Sequence, residues 1–312
     1  MPIPTCDAST PLFIVFNAGS GSGDKLRNRQ DMQKILQDAD RQHEFFVVDK
    51  PEQIGTCAMQ ATQAAVKNNG AVVVAGGDGT INSVAAATLP TGRPFGIVPQ
   101  GTFNYSSRTH GIPLETIPAT QALLDARVKP VQVGRVNERI FLVNASLGLY
   151  PQLLEDREAA KSKLGRKRAV ALWAGLRTLA SYRRQFVLEV EHDQQREVLR
   201  TPTLFVGNNR LQLEQVGLPE VQAVQHRLLA AVVIKPVSGA AMLWLALRGA
   251  LGRLGDADNV RDFAFAQMSV RAGRSGAARR FKVATDGEVY WMQTPLRFSV
   301  AEESLMLLVP AA

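Results

Sequence analysis

The sequence predicts an α/β domain followed by an antiparallel β-sandwich domain. Over the first 130 residues, short apolar runs alternate with stretches of helical spacing, a pattern typical of βαβ units and a mostly parallel sheet. After that point, short strand-like runs are joined mostly by polar turns, which favours an antiparallel sandwich. The change of pattern near Pro130 places the domains at 1–130 and 131–312, with the option that the last strand packs back on the first domain.

Each element of the first domain follows from its local pattern. Runs of apolar and β-branched residues predict strands, and apolar residues repeated every three to four positions predict helices. The predicted strands are 12–16, 45–48, 71–75 and 95–98. The predicted helices are 24–42, 51–67 and 81–88.

The same criteria applied to the second domain give mainly strands. The predicted strands are 141–145, 186–191, 203–206, 228–235, 263–270, 281–285, 296–300 and 305–309. The predicted helices are 163–183 and 239–254, and the second of these either lines an apolar slot or packs into the core.

Composition narrows the class of protein. With 46% apolar residues the chain is globular rather than disordered. Its two cysteines, Cys6 and Cys57, are far apart, which excludes a disulfide scaffold and suits a reducing compartment. No apolar run approaches the ~18 residues of a membrane span, so we expect a cytoplasmic protein.

The net charge of +8 is confined to one segment. Residues 161–184 contain eight basic residues and no acidic one, so the rest of the chain is balanced. Their apolar residues recur at helical spacing, which suits contact with an anionic membrane surface or, equally, packing on the domain with a solvated basic face. No recognised nucleic-acid motif is present, so we expect no nucleic-acid partner.

Three glycine-rich turns each follow a predicted strand of the first domain, and each could hold phosphate through backbone N–H groups. They begin at Asn17, Gly76 and Gly101. The first turn is a poor dinucleotide fingerprint, because Asp24 stands where the third glycine belongs, although Asp49 lies near the position of a ribose-binding acid. The second turn, 76–80, is the most specific, and its Asp78 is a candidate Mg²⁺ ligand.

Together, the segments NAGSG, GGDGTIN and PQGTFN and the late Asp286-Gly287-Glu288 resemble the catalytic domain of the diacylglycerol kinase family, which includes bacterial lipid kinases and sphingosine kinases. The motifs occur in the family's order. The resemblance implies a phosphofructokinase-like or NAD kinase-like nucleotide domain facing a sandwich domain, with the active site between them. It also implies transfer of the γ-phosphate of ATP to a lipid hydroxyl, with Mg²⁺ and a diacylglycerol-type acceptor.

The resemblance also implies roles for individual residues. Asp286 would be the general base, assisted by Glu288, with Asp78 as the third catalytic residue. An ordinary Asp-Gly hairpin turn is the competing interpretation of the late motif. The expected nucleotide-binding residues are Asn17, Gly19, Ser20, Gly21, Asp49, Gly76, Gly77, Asp78, Gly79, Thr80, Asn82, Gly101, Thr102 and Asn104.

Two departures from the family pattern bear on function. Tyr105 follows Asn104 where the family has an acid, which puts the acceptor specificity in doubt. The stretch 225–229 lacks both acids of the Asp-Gly-x-Leu-Asp segment that binds a structural Mg²⁺ in many bacterial members, so we expect no such site.

The leading hypothesis is a lipid kinase that associates peripherally with membranes through 161–184. The alternatives are a non-catalytic lipid- or nucleotide-binding regulatory protein and a kinase of a soluble metabolite on the same scaffold. The sequence leaves open the lipid, the choice between ATP and GTP, and the oligomeric state, a homodimer included.

Overall fold

A computed structural model describes residues 4–19, 25–164, 175, 177–179, 181–182, 184–217, 226–273 and 278–311. The chain divides into two compact units. Unit 1 comprises 1–133 with 301–312, and unit 2 comprises 134–300. The return of the C-terminal residues to unit 1 is the option that the sequence left open for the last strand.

Unit 1 is an α/β layer structure built on one six-stranded sheet. Its strands are β1 (Leu12–Asn17), β2 (His43–Val48), β3 (Ala71–Gly76), β4 (Phe95–Pro99), β5 (Arg127–Val131) and β18 (Leu305–Val309). Its helices are α1 (Lys25–Asp38), α2 (Ile54–Lys67), α3 (Asp78–Thr88), α4 (Tyr105–Thr109) and α5 (Thr116–Ala122), with 3₁₀ turns at Pro51–Gln53 and Leu89–Thr91.

The sheet of unit 1 has the strand order β2-β1-β3-β4-β18-β5. Strands β2, β1, β3 and β4 pair in parallel, and β18 pairs in parallel with β4 but antiparallel with β5. Every residue of β1, β3 and β4 is buried, as expected for strands covered by helices on both faces. The α/β class predicted for this part of the chain is confirmed.

Unit 2 contains two six-stranded antiparallel sheets. Its strands are β6 (Gly134–Val136), β7 (Arg139–Phe141), β8 (Asn144–Gly148), β9 (Phe186–His192), β10 (Gln195–Thr201), β11 (Thr203–Gly207), β12 (Leu229–Ile234), β13 (Val260–Phe265), β14 (Gln267–Ala272), β15 (Arg280–Thr285), β16 (Glu288–Gln293) and β17 (Leu296–Val300). Its helices are α6 (Leu149–Leu164), α7 (Arg210–Gln215) and α8 (Gly239–Ala250).

The two sheets of unit 2 share one apolar core. Their strand orders are β10-β9-β14-β17-β6-β7 and β13-β12-β11-β8-β15-β16. Side chains from both sheets pack together there, among them Phe141, Phe298, Leu204 and Phe265, each nearly or fully buried. Along the strands, residues that face the other sheet alternate with residues that face outward, and the inward-facing ones form this common core.

Two runs that the sequence read as single strands are each divided between the two sheets. The run 141–145 splits into β7 and β8, and 263–270 splits into β13 and β14. In both cases the chain crosses from one sheet to the other within one or two residues. An apolar run continues through such a crossing because both sides face the same core, so periodicity does not reveal it.

Candidate functional site

The three glycine-rich turns lie at one edge of the unit 1 sheet. They follow β1, β3 and β4, which are neighbours in parallel register. The carboxyl ends of parallel strands therefore bring the turns together, which is the usual ligand position in open α/β sheets. Side-chain bonds between the turns show how closely they meet.

The first two turns are joined by a buried hydrogen bond. The Asn17 side-chain Nδ2 donates to the Thr80 Oγ1 at 2.7 Å, and both side chains are almost completely buried. The Asn17 Oδ1 accepts from the Gly19 backbone N at 2.9 Å, which fixes the start of the first turn. A single asparagine thus sets the spacing between the turns after β1 and β3.

The second and third turns are joined through Asn104. The Asn104 backbone N donates to the Asp78 Oδ2 at 3.3 Å, and the Asn104 side chain bonds the backbone N and O of Gly101 at 3.1 and 2.9 Å. Asn104 has φ of 50°, a left-handed conformation that asparagine tolerates better than most residues. The conformation closes the third turn so that its backbone faces Asp78.

Gly77 is explained by neither backbone conformation nor packing. Its φ of −84° and ψ of 175° are open to any residue, and among the described residues an added Cβ would meet only the Gly101 Cα, at an ordinary 3.7 Å. Gly76 differs, because a Cβ there would lie 2.8 Å from the Thr80 Cβ. Packing therefore favours glycine at 76, whereas the described neighbours of position 77 leave room for a side chain.

The electrostatics of this edge suit a phosphate and a cation together. Gly77 caps the N-terminus of α3, an eleven-residue helix whose dipole and free N–H groups favour anions. Desolvation of the Asp78 carboxyl by burial raises its pKa, and hydrogen bonds from the backbone N–H groups of Asn104 and Asp78 oppose that rise. A desolvated carboxylate gains most from a cation.

The remaining predicted nucleotide residues of unit 1 lie around this edge. Gly79 and Asn82 are half-buried on the first turns of α3, with Asn82 four residues after Asp78 and so on the same face. Thr102 is exposed at the tip of the third turn, and Asp49 is exposed at the end of β2. Ser20 and Gly21 lie outside the described residues.

The late motif of unit 2 is a two-residue hairpin turn. Asp286 and Gly287, with φ of 48° and 91°, connect β15 to β16, and Thr285 pairs with Glu288. Asp-Gly is the favoured sequence where both central residues need positive φ. The hairpin interpretation is therefore correct for the backbone. The side-chain carboxylate of Asp286 makes additional hydrogen bonds outside the hairpin.

The Asp286 carboxylate fastens the segment where the chain crosses from β7 to β8. It accepts three backbone N–H bonds, from Leu142 at 2.7 Å, Val143 at 2.8 Å and Asn144 at 3.0 Å. Asn208 satisfies the carbonyls of the same crossing, donating from its side chain to Leu142 and from its backbone N to Val143. Both oxygens of the Asp286 carboxylate are thus engaged by the fold.

Glu288, predicted to assist Asp286, and Tyr105, which replaces the family's acid, are the remaining residues that the sequence linked to the acceptor. Glu288 is exposed at the start of β16. Tyr105 is half-buried at the start of α4, and its ring stacks on that of Phe103 with centroids 6.0 Å apart and planes 5° apart. The side chain that replaces the family's acid therefore packs on an exposed aromatic neighbour.

Unit 2 contains an apolar cavity that sequence reasoning found only in part. Its volume is about 290 Å³. The walls come from α6, β11, β12 and α8, and the lining residues are Leu149, Tyr150, Leu153, Leu179, Thr203, Phe205, Val216, Val232, Ile234, Met242, Leu245, Ala246, Gly249 and Leu254. For the α8 residues, the sequence predicted either the lining of a slot or packing into the core. The other lining residues were not predicted to form a cavity, because an apolar run has the same pattern whether it faces a core or a cavity.

Two predictions fall partly outside the described residues. More than half of the proposed membrane segment 161–184 is not described, whereas of the stretch 225–229 only Gln225 is not described. Within the described part of the chain, no helix combines the length and the apolar character needed to cross a bilayer.

Residues 11–136 match the family model described as Diacylglycerol kinase catalytic domain. A diacylglycerol kinase of Bacillus subtilis is 34% identical over 169 residues, which cover 49% of this chain and 55% of that protein. An uncharacterized protein of Synechocystis is 28% identical over 204 residues, covering 62% of this chain and 46% of that protein. The chain thus spans about half the length of the curated relatives it matches.

Solved structures match over nearly the whole chain. A putative diacylglycerol kinase from Bacillus anthracis superimposes with a TM-score of 0.76 at 20% identity, covering 98% of each chain. At this identity the likeness shows the fold. The late motif at 286–288 lies beyond the residues that match the family model.

Proposed function

Since residues 11–136 belong to the diacylglycerol kinase catalytic domain family, we propose that the protein is an ATP-dependent lipid kinase that transfers the γ-phosphate to a lipid hydroxyl. The diacylglycerol type is the proposed acceptor. The observation that carries the proposal is Gly77, a glycine at a helix N-terminus that the fold does not need. Close approach of a nucleotide phosphate to the backbone accounts for it.

The donor side of the proposed reaction is the edge formed by the three turns. Backbone N–H groups at the start of α3 would hold phosphate oxygens, and the Asn17–Thr80 and Asn104–Gly101 bonds help to fix the turns. Phosphoryl transfer depends mainly on positioning and charge neutralisation, and this edge supplies groups suited to both.

Asp78 is the proposed Mg²⁺ ligand. The described residues contain no group of three or more His, Cys, Asp or Glu side chains placed to hold a metal. That fits Mg²⁺ in a kinase, which is commonly held by one or two carboxylates together with substrate phosphates and water. Mg²⁺ bound there would neutralise charge on the phosphates, while Asn104 orients the Asp78 carboxylate.

The acceptor side of the proposed reaction is assigned to the β15–β16 hairpin. Asp286 is the proposed base for the lipid hydroxyl and Glu288 assists it, as the family resemblance implies. Because the Asp286 carboxylate also holds the crossing at 142–144, its replacement should affect both folding and chemistry. The two effects separate experimentally, as set out in the Discussion.

The apolar cavity favours a lipid over a soluble acceptor. Its lining includes two residues with a side-chain hydroxyl, and one of them, Thr203, already donates to the Leu147 carbonyl at 3.1 Å. A sugar or nucleotide would leave its polar groups unpaired in such a space, whereas a hydrocarbon chain would not. At about 290 Å³ the cavity lies near the lower end for ligand sites.

A lipid-panel assay tests the proposed function. Purified protein is incubated with Mg²⁺, ATP and vesicles that contain diacylglycerol, ceramide, a sphingoid base or phosphatidylglycerol, and phosphorylated products are detected by mass. We expect one lipid class to gain a phosphate, and Asp78→Asn to abolish the gain while Asp125→Asn, an exposed carboxylate of unit 1 outside the predicted site, leaves it nearly unchanged. Absence of any phosphorylated lipid would favour a non-catalytic binding protein, and phosphorylation confined to polar metabolites would favour the soluble-substrate alternative.

A further inference from the structure

Helix α8 is apolar on two opposite sides. Across Gly239–Ala250 it carries one charged residue, Arg248. The helix begins at a well-formed cap, in which the Ser238 Oγ accepts from the Ala241 backbone N. A helix on the surface of a globular domain normally has one apolar side facing the core and one polar side facing water, and α8 departs from that pattern.

The inner side of α8 faces the apolar cavity. Met242 and Leu245 are buried, and with Ala246 and Gly249 they form the helix wall of the cavity. This side is accounted for by packing and by the proposed lipid chain. It leaves the opposite side of the helix unexplained.

The outer side of α8 presents large apolar side chains to solvent. Trp244, Leu247 and Leu251 are 57%, 49% and 64% exposed. Their spacing of three and four residues places them in one row along the helix, and we call this row the α8 ridge. Single exposed apolar residues are ordinary, but a contiguous row of three with a tryptophan marks an interaction surface.

The α8 segment itself carries only positive charge. Between residues 235 and 255 the basic residues are Lys235, Arg248 and Arg253, and the nearest acidic residues in the sequence, Asp256 and Asp258, follow after the helix has ended. The Arg248 Nε donates to the Arg253 carbonyl, so these two cations sit together at the C-terminal end of the helix. Anionic headgroups complement this charge, and each nearby basic residue adds about 1 kcal/mol of attraction to an anionic surface.

We propose that the α8 ridge docks on an anionic lipid bilayer, inserting Trp244, Leu247 and Leu251 at the interface while Lys235, Arg248 and Arg253 meet the headgroups. A second copy of the chain fits less well, because a symmetric contact would bring the same cations together from both partners. Tryptophan is also suited to the membrane interface, where one edge of the ring is wet and the other apolar. Docking there places the cavity wall against the source of its ligand.

This inference rests on the proposed lipid-kinase function for its choice of partner, but it is tested without ATP. The experiment measures sedimentation of the full chain with vesicles of phosphatidylglycerol and phosphatidylcholine. The test variant carries Trp244→Ser, Leu247→Ser and Leu251→Ser, and the control carries Val198→Ser, which is 67% exposed on β10. We expect the ridge variant to bind at least about tenfold more weakly and the control to bind as the wild type does.

A second measurement follows one residue of the ridge directly. In a background with Trp173→Phe and Trp291→Phe, the fluorescence of Trp244 should shift to shorter wavelength when anionic vesicles are added. The proposal is overturned if the ridge variant binds vesicles as the wild type does, or if the Trp244 emission does not shift. It is also overturned if the ridge substitutions abolish self-association of the chain and leave vesicle binding intact. If the ridge binds vesicles but the wild type phosphorylates no lipid, the membrane surface stands and the kinase proposal fails.

Discussion

Replacing Gly77 with alanine separates ligand binding from folding at the turn after β3. The added Cβ, at the N-terminus of α3, meets the Gly101 Cα at 3.7 Å and no other described residue within 4 Å. The matched change, Gly76→Ala, places a Cβ within 2.8–3.2 Å of three side-chain atoms of Thr80. Thr80 also holds Asn17, so this second change presses on the bond that joins two turns.

We expect Gly77→Ala to lose nucleotide affinity but keep its stability, and Gly76→Ala to lose stability. At position 77 the loss of glycine as a helix cap and the reduced freedom of the unfolded chain nearly offset each other, so stability should change by less than about 1 kcal/mol. A methyl group in the path of a phosphate should remove at least one charge-assisted hydrogen bond of about 1.5–3 kcal/mol, or roughly 10- to 150-fold in ATP affinity. At position 76, overpacking should lower stability by about 1–3 kcal/mol.

Thermal unfolding and nucleotide titration measure the two effects independently. Unfolding monitored by circular dichroism gives stability, and isothermal titration with a nonhydrolysable ATP analogue gives affinity. We expect Gly77→Ala to unfold like the wild type and bind the analogue weakly. If Gly77→Ala bound the nucleotide as tightly as the wild type, the phosphate would not approach this turn and the reasoning would be wrong.

Three further changes test other parts of the structure. Asp286→Asn should lower stability by about 1–3 kcal/mol in urea unfolding, because an amide NH₂ would face a backbone N–H of the crossing; a fully stable variant would contradict the observed clamp. If that variant is inactive at temperatures where it is folded, while Glu288→Gln keeps some activity, Asp286 acts in chemistry as well. Gly217→Ala should unfold at lower temperature, because its φ is 73° and the new Cβ would overlap the Gly252 carbonyl oxygen. His110 has a pKa lowered to about 4 by burial, with Lys129 adding to the effect, so the folded state binds fewer protons and stability should fall by roughly 3 kcal/mol between about pH 6.5 and 4; His110→Gln should flatten that slope, and an unchanged slope would refute the assignment.

Local pattern predicts the fully buried strands of unit 1 well and several edge strands poorly. The fully buried β1, β3 and β4 are runs of apolar residues, and they begin and end close to the predicted bounds. The edge strands β5, β10 and β16 and the three-residue inner strand β6 were not predicted, whereas the edge strand β2 was. Edge strands carry charge or proline to block further pairing, as Pro130 does in β5, so their composition resembles that of loops.

The candidate site also has one part that the sequence predicts and one part that it does not. The glycine-rich turns of unit 1 could be predicted because strand, turn and helix are contiguous, and parallel pairing then brings the turns together. The bonds of Asp286 to 142–144 join residues more than 140 positions apart, and no local pattern reports them. The sequence predicted a chemical role for Asp286, whereas its structural role in holding 142–144 became visible only in the folded structure.

The most direct test of the lipid-kinase proposal follows the label from γ-³²P-ATP after incubation with extracted membrane lipids and Mg²⁺. After phase separation, we predict label in the organic phase with the wild type and at least about a tenfold loss with Gly77→Ala, whose added Cβ clashes with no described residue. Label that remains in the aqueous phase with the wild type, as transferred phosphate on a polar compound, would contradict the account.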